Sequence, residues 1–130
     1  MVTPAIHLRG ECAEALALYE KAFDATDRFV RRYADNPDPS GVRPEQLDWV
    51  LHSGLTICGS LVNFSDADAP VRQGDNICLN VTMPNAQAVE KAYAVLMQGG
   101  QAAVALGPQF FSPLYAAVVD KFGVRWQIMC

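Results

Sequence analysis

Residues 59–64, Gly59-Ser60-Leu61-Val62-Asn63-Phe64, can be laid on residues 123–128, Gly123-Val124-Arg125-Trp126-Gln127-Ile128, by superposing the two glycines. The overlay pairs Asn63 with Gln127. Each glycine stands just before an apolar, strand-like run, and Cys58-Gly59 reads as a tight hairpin turn, with 121–124 as the corresponding turn near the end of the chain. Working outward, strand-like runs at 28–34, 49–57 and 60–65 answer runs at 102–106, 115–120 and 125–129. Each set of three follows a helical segment, and a short run precedes each helix, at 5–9 and 77–82. The order is βαβββ written twice. A duplicated unit of about 60 residues is longer than the roughly 20 to 50 of solenoid repeats, which also need three or more copies. The two copies are expected to pack as a pair.

The helices rest on periodicity. Across 11–23, Ala15, Leu16, Tyr19, Ala22 and Phe23 form one apolar stripe, and across 85–97 Ala88, Val89, Ala92, Tyr93 and Leu96 repeat that spacing. Gly10 marks the first start, Pro84-Asn85 the second, and Gly99-Gly100 a stop. The stretches 35–46 and 67–75 are rich in Asp, Asn, Pro, Gly and Ser and read as loops, the second linking the modules.

With 130 residues the chain fits one domain, and 51% hydrophobic against 18% charged residues is the composition of a globular protein, not a disordered one. No apolar run reaches the roughly 18 to 20 residues of a membrane span. The opening residues read as a strand, not as a signal or transit peptide, so a cytoplasmic protein with no membrane partner is expected. Net charge is −4 and the ten Lys and Arg are scattered, which argues against nucleic acid. Cys12, Cys58, Cys78 and Cys130 form no CxxC and no close Cys/His pair, so neither zinc nor a redox dithiol is suggested. Cys12 falls in the first turn of a helix, where a thiol can be activated. No His or Asp neighbours it in sequence, and a plain structural thiol is the expectation.

Three stretches carry a family resemblance: Glu14-Ala15-Leu16-Ala17-Leu18-Tyr19-Glu20-Lys21-Ala22-Phe23, Val50-Leu51-His52-Ser53-Gly54-Leu55-Thr56-Ile57-Cys58-Gly59, and Asp120-Lys121-Phe122-Gly123-Val124-Arg125-Trp126-Gln127-Ile128. In this order and spacing the sequence resembles the PhnB-like proteins, also called 3-demethylubiquinone-methyltransferase-like, of the glyoxalase-containing vicinal-oxygen-chelate superfamily. The resemblance implies an α+β fold. It would be a single domain, 1–130, of two βαβββ modules at about 1–66 and 76–130 that form glyoxalase-like open barrels around a ligand cavity, commonly as a homodimer.

In metal-using members the ligands come from a His on the first strand of a module and a carboxylate on its last. Here the last-strand positions hold Asn63 and Gln127, the first strand of the second module opens at Asn76, and the first-module position falls near Thr3 or Pro4. Amides are poor ligands for metals that suit imidazole, so no metal site and no cofactor are expected. A shifted first strand would restore only one ligand, His7. The methyltransferase label implies a methyl donor, but no GxGxxG-like loop is present.

Alternation in 49–57 puts Val50, His52, Gly54 and Thr56 on one face, which could line the cavity. His52 is then the candidate catalytic acid-base; its other reading is a hydrogen-bonded histidine near a dimer seam. Trp126 and Gln127 face opposite sides, and the superfamily register points Gln127 into the cup with Trp126 in the core. Phe110 and Phe111, after Gly107-Pro108, form either a lid over an apolar ligand or a hydrophobic plug. The ligand-binding set read from the sequence is therefore His52, Asn63, Asn76, Phe110, Phe111 and Gln127. Three functions follow: a metal-free protein that binds a small organic ligand; a lyase, isomerase or dioxygenase-type enzyme using an atypical metal site or His52; and a non-catalytic assembly protein.

Overall fold

A computed structural model describes residues 1–130. The chain forms β1 (Ala5–Leu8), α1 (Cys12–Phe23), β2 (Thr26–Arg32), β3 (Val50–Ile57), β4 (Ser60–Asp66), β5 (Leu79–Thr82), α2 (Ala86–Leu96), β6 (Gln101–Gln109), β7 (Ser112–Val119) and β8 (Arg125–Met129). The first sheet has the order β1-β4-β3-β2 and the second β5-β8-β7-β6. In each, the strand before the helix runs parallel to the last strand while the other pairs are antiparallel. The βαβββ repeat is thus realised twice, in an α+β fold. No helix is long and apolar enough to cross a membrane.

By contacts the chain divides into two compact units, Met1–Ala17 with Ala25–Val71, and Leu18–Asp24 with Arg72–Cys130. The second half of α1 therefore groups with the second sheet. In the first unit the core face carries Ser53, Leu55, Ile57, Val62 and Phe64, with Cys12, Ala15 and Leu16 buried on α1. In the second, Trp126 is buried against Tyr19 and Phe23, with ring centroids 5.1 and 4.9 Å away. Val89, Ala92, Val95 and Leu96 are the buried residues of α2. The expected stripe on α1 is buried throughout, whereas on α2 Val95 is buried and Ala88 and Tyr93 are only partly covered.

Local chemistry sets the turns. Cys58 (φ 45°) and Gly59 (φ 89°) both have positive φ, the conformation a two-residue hairpin needs to match the strand twist. At the start of α1 the Cys12 N–H donates to Asp66 Oδ1 (3.0 Å), and at the start of α2 Asn85 Oδ1 accepts from the Ala88 N–H (2.9 Å).

Three sequence expectations change. The strand expected over 102–106 runs on as β6 through Gly107-Pro108 to Gln109, and Phe110-Phe111 is only the turn into β7. β6 is an edge strand, where proline's missing N–H need not cost a ladder bond. Val50 does not share the His52 face: a register shift pairs Arg31 with His52 but Arg32 with Val50, and this bulge at Leu51 turns Val50 into the core. The 35–46 loop contains short 3₁₀ turns at Pro39–Gly41 and Pro44–Gln46, each opened by its proline.

Candidate functional site

The first sheet has one face under α1 and one open face. On the open face strand pairing sets side chains in rows. Ala5 pairs with Asn63, Asn63 with Gly54, and Gly54 with Phe29. One step along, His7 pairs with Ser65 and Arg31 with His52. Because Ser53 pairs with Phe64, His52 and Ser65 lie side by side in antiparallel register. The second row therefore reads His7, Ser65, His52, Arg31 across four strands. His7 Nδ1 and Ser65 Oγ are hydrogen-bonded at 2.9 Å, and the His52 and Phe29 ring centroids lie 5.3 Å apart, which confirms the shared face.

Gly54 is the floor. A Cβ there would sit 2.5 Å from Phe29 Cε1 and 3.0 Å from Leu61 Cδ1, so those side chains occupy the space a larger residue would need. Beside it, Asn63 Oδ1 is buried and has no hydrogen-bond partner, the only such side-chain atom in the chain.

Of the residues singled out from the sequence, the structure brings His52 and Asn63 onto this face. Within the second unit Gln127 pairs with Asn80 and Ala117 on the open face of its sheet and is half-buried, while Trp126 is in the core. Phe111 packs edge-on against Tyr115 (5.1 Å), whereas Phe110 stands fully exposed at the hairpin tip. Asn76 lies off the strand in an exposed bend, because β5 starts at Leu79; the residue opposite Gln127 is Asn80. By the same register the first-module counterpart is Ala5, not Thr3 or Pro4.

Sequence reading passed over Arg31, Ser65 and Phe29. The signal was strand parity: Ser65 is two residues from Asn63, and Phe29 and Arg31 are two apart, but which strands pair is a tertiary fact. Cys12 is fully buried with Sγ 3.7 Å from Ser53 Oγ, and burial pushes its thiol up to about 12. It is no nucleophile.

The duplicated module and its open faces give the chain a family signature, and the family model described as 3-demethylubiquinone-9 3-methyltransferase matches residues 1–129. The chain belongs to this family. It is 24% identical to protein YjdN of Escherichia coli K12, over 98% of this chain and 92% of that one. Among solved structures it is similar to protein PA1353 of Pseudomonas aeruginosa, with a TM-score of 0.83 at 21% identity over 100% and 98% of the two chains. It is also similar to a putative 3-demethylubiquinone-9 3-methyltransferase, PhnB protein, of Bacillus cereus, with a TM-score of 0.78 at 22% identity over 98% and 97%. At these identities the structural likeness speaks for the fold alone.

Neither group that the family implies fits this member's residues. The paired first- and last-strand positions hold Ala5 with Asn63 and Asn80 with Gln127, and no three His, Cys, Asp or Glu side chains gather where they could hold a metal. For a methyl donor, no GxGxxG-like loop joins either parallel strand to its helix. Instead both helix starts are already occupied, by the Asp66 carboxylate and the Asn85 amide.

Proposed function

We propose that this member of the 3-demethylubiquinone-9 3-methyltransferase family is a metal-free small-molecule-binding protein, with its ligand on the open face of the first sheet. The observation that carries this is the unpartnered Oδ1 of Asn63. A buried acceptor left unmade costs about 1–3 kcal/mol, a cost a binding site recovers when its ligand donates. Around it stand polar groups with spare capacity: the His7 and Ser65 pair, His52 and Arg31. An acid-base role for His52 has less support, because its ring makes no hydrogen bond to orient it and its neighbour is the Phe29 ring.

The test is a thermal-shift screen of metabolites against the wild type, His52→Ala and Asn63→Leu. A ligand at about a hundred times its Kd adds roughly 2.7 kcal/mol of stability. The shift should shrink in both variants, while unliganded Asn63→Leu, relieved of its orphan acceptor, should be at least as stable as the wild type. Hits that shift all three proteins equally would place the site elsewhere. Elemental analysis of tag-free protein should find well under one metal per chain, and one tightly held ion per chain would overturn the metal-free reading.

A further inference from the structure

We infer that the ligand of the first sheet is a small oxyanion-bearing molecule that also carries a hydroxyl or amine. Its anionic oxygens are held by Arg31 and His52, and its donor is given to Asn63 Oδ1. This rests on the reading of that face as the binding surface and names the class of molecule it takes.

The charge on this face decides the anion. The four strands of the first sheet contain two acids, Asp27 and Asp66. Asp66 points into the core, where it accepts from the Cys12 and Val50 N–H groups. Asp27 sits at the register shift near the start of β2, with φ 55°, and accepts from Thr26 Oγ1. No carboxylate therefore stands in the row of His7, Ser65, His52 and Arg31.

The Arg31 side chain makes no ion pair or hydrogen bond, whereas its neighbour Arg32 donates to the Asp48 carbonyl through Nη1. A guanidinium is always charged and its fork matches carboxylate, phosphonate and phosphate oxygens. Beside it, paired across β2 and β3, is the His52 ring.

The second group follows from the row spacing. Asn63 lies in the neighbouring row, two residues along the strands and one strand over from His52, so about 8 Å from it, and two strands over from Arg31, so about 12 Å from it, between backbone positions. Its Oδ1 can only accept, so the ligand must bring a donor. Phe29, 40% exposed, lies over Gly54 in this same row and supplies an apolar surface beside it. A molecule of about four carbons with an anion at one end and a hydroxyl at the other spans the distance from His52 to Asn63, and the long Arg31 side chain reaches its anion from β2.

The test compares thermal shifts with 4-hydroxybutyrate, butyrate, 1,4-butanediol and inorganic phosphate, on wild type, Arg31→Gln, Arg31→Lys and Asn63→Leu. The hydroxy acid should bind wild type best, about tenfold more tightly than butyrate, the worth of one hydrogen bond to a buried acceptor. The diol should give no shift. Arg31→Gln should abolish the shifts by both acids and by phosphate, and Arg31→Lys should restore part of them. Asn63→Leu should bring the hydroxy acid down to the level of butyrate. Anion shifts that survive Arg31→Gln, or a diol as effective as the hydroxy acid, would overturn the inference. If such a neutral compound loses its effect in Asn63→Leu, the face still binds ligands and only the class is wrong; if every compound shifts all variants alike, the face itself is not the site.

Discussion

The ring of Phe29 lies over the Cα of Gly54, its partner across β2 and β3, so closely that a Cβ on Gly54 would come within 2.5 Å of the ring. An aromatic side chain covering a strand glycine pins the register and stiffens a backbone with no side chain of its own. It also holds the ring against His52.

Gly54→Ala should therefore displace the Phe29 ring and cost about 1 kcal/mol, at the low end for inserting a methyl into a packed site because the ring end can move. Made in a Phe29→Ala background, the same change should cost less, because only Leu61 Cδ1, 3.0 Å from the added methyl, is left to give way. Urea unfolding of the four proteins of this cycle gives the coupling; equal costs in both backgrounds would mean that the contact carries no energy.

Asp120 is a buried carboxylate that accepts from Tyr19 Oη (2.7 Å), Trp126 Nε1 (2.9 Å) and the Phe122 and Val124 N–H groups (2.9 and 3.1 Å). Asp120→Ala strands four donors and should cost about 3–5 kcal/mol. Tyr19→Phe removes one donor and leaves the carboxylate three, and should cost about 1–2 kcal/mol. Denaturant midpoints at constant slope measure both, and a loss below about 1 kcal/mol for Asp120→Ala would show that the network is dispensable.

Cys12 should resist thiol reagents in the native protein, while the exposed Cys58 and Cys78 react. Burial penalises the thiolate and pushes the folded thiol up from its ordinary value of 9.0 to about 12. The folded value is the raised one, so the unfolded chain loses its proton first as pH climbs. The stability linked to this proton is complete below about 9 and drains away between about 9 and about 12. Cys12→Ala should lose less stability than the wild type across that window, and parallel pH profiles would refute the assignment.

Assembly is predicted from the outer edges of the sheets. β2, Thr26-Asp27-Arg28-Phe29-Val30-Arg31-Arg32, is charged and bulged, the usual protection of a free edge. β6, Gln101-Ala102-Ala103-Val104-Ala105-Leu106-Gly107-Pro108-Gln109, is largely exposed and carries no charge, with Pro108 guarding only its far end. We propose that a second copy covers β6. Light scattering should give twice 14.2 kDa, and Val104→Lys should give the single-chain mass. A wild-type monomer at micromolar concentration would rule this out.

The repeat, the two helices and the Cys58-Gly59 hairpin were legible in the sequence because each depends on local pattern: periodicity, a glycine with positive φ, and an apolar stripe that must find cover. The overlay of Asn63 on Gln127 also held, since both lie four residues past their glycine on the last strand of a module. Strand partners were not legible. The facing of Ala5 and Asn80 to those amides, the turning of Val50 by a bulge, and the path of β6 through Gly107-Pro108 depend on register and on which strand is the edge. The row of His7, Ser65, His52 and Arg31 gathers residues from four strands separated by up to 58 positions. Periodicity can say which face a side chain takes, but only the folded sheet decides what stands beside it.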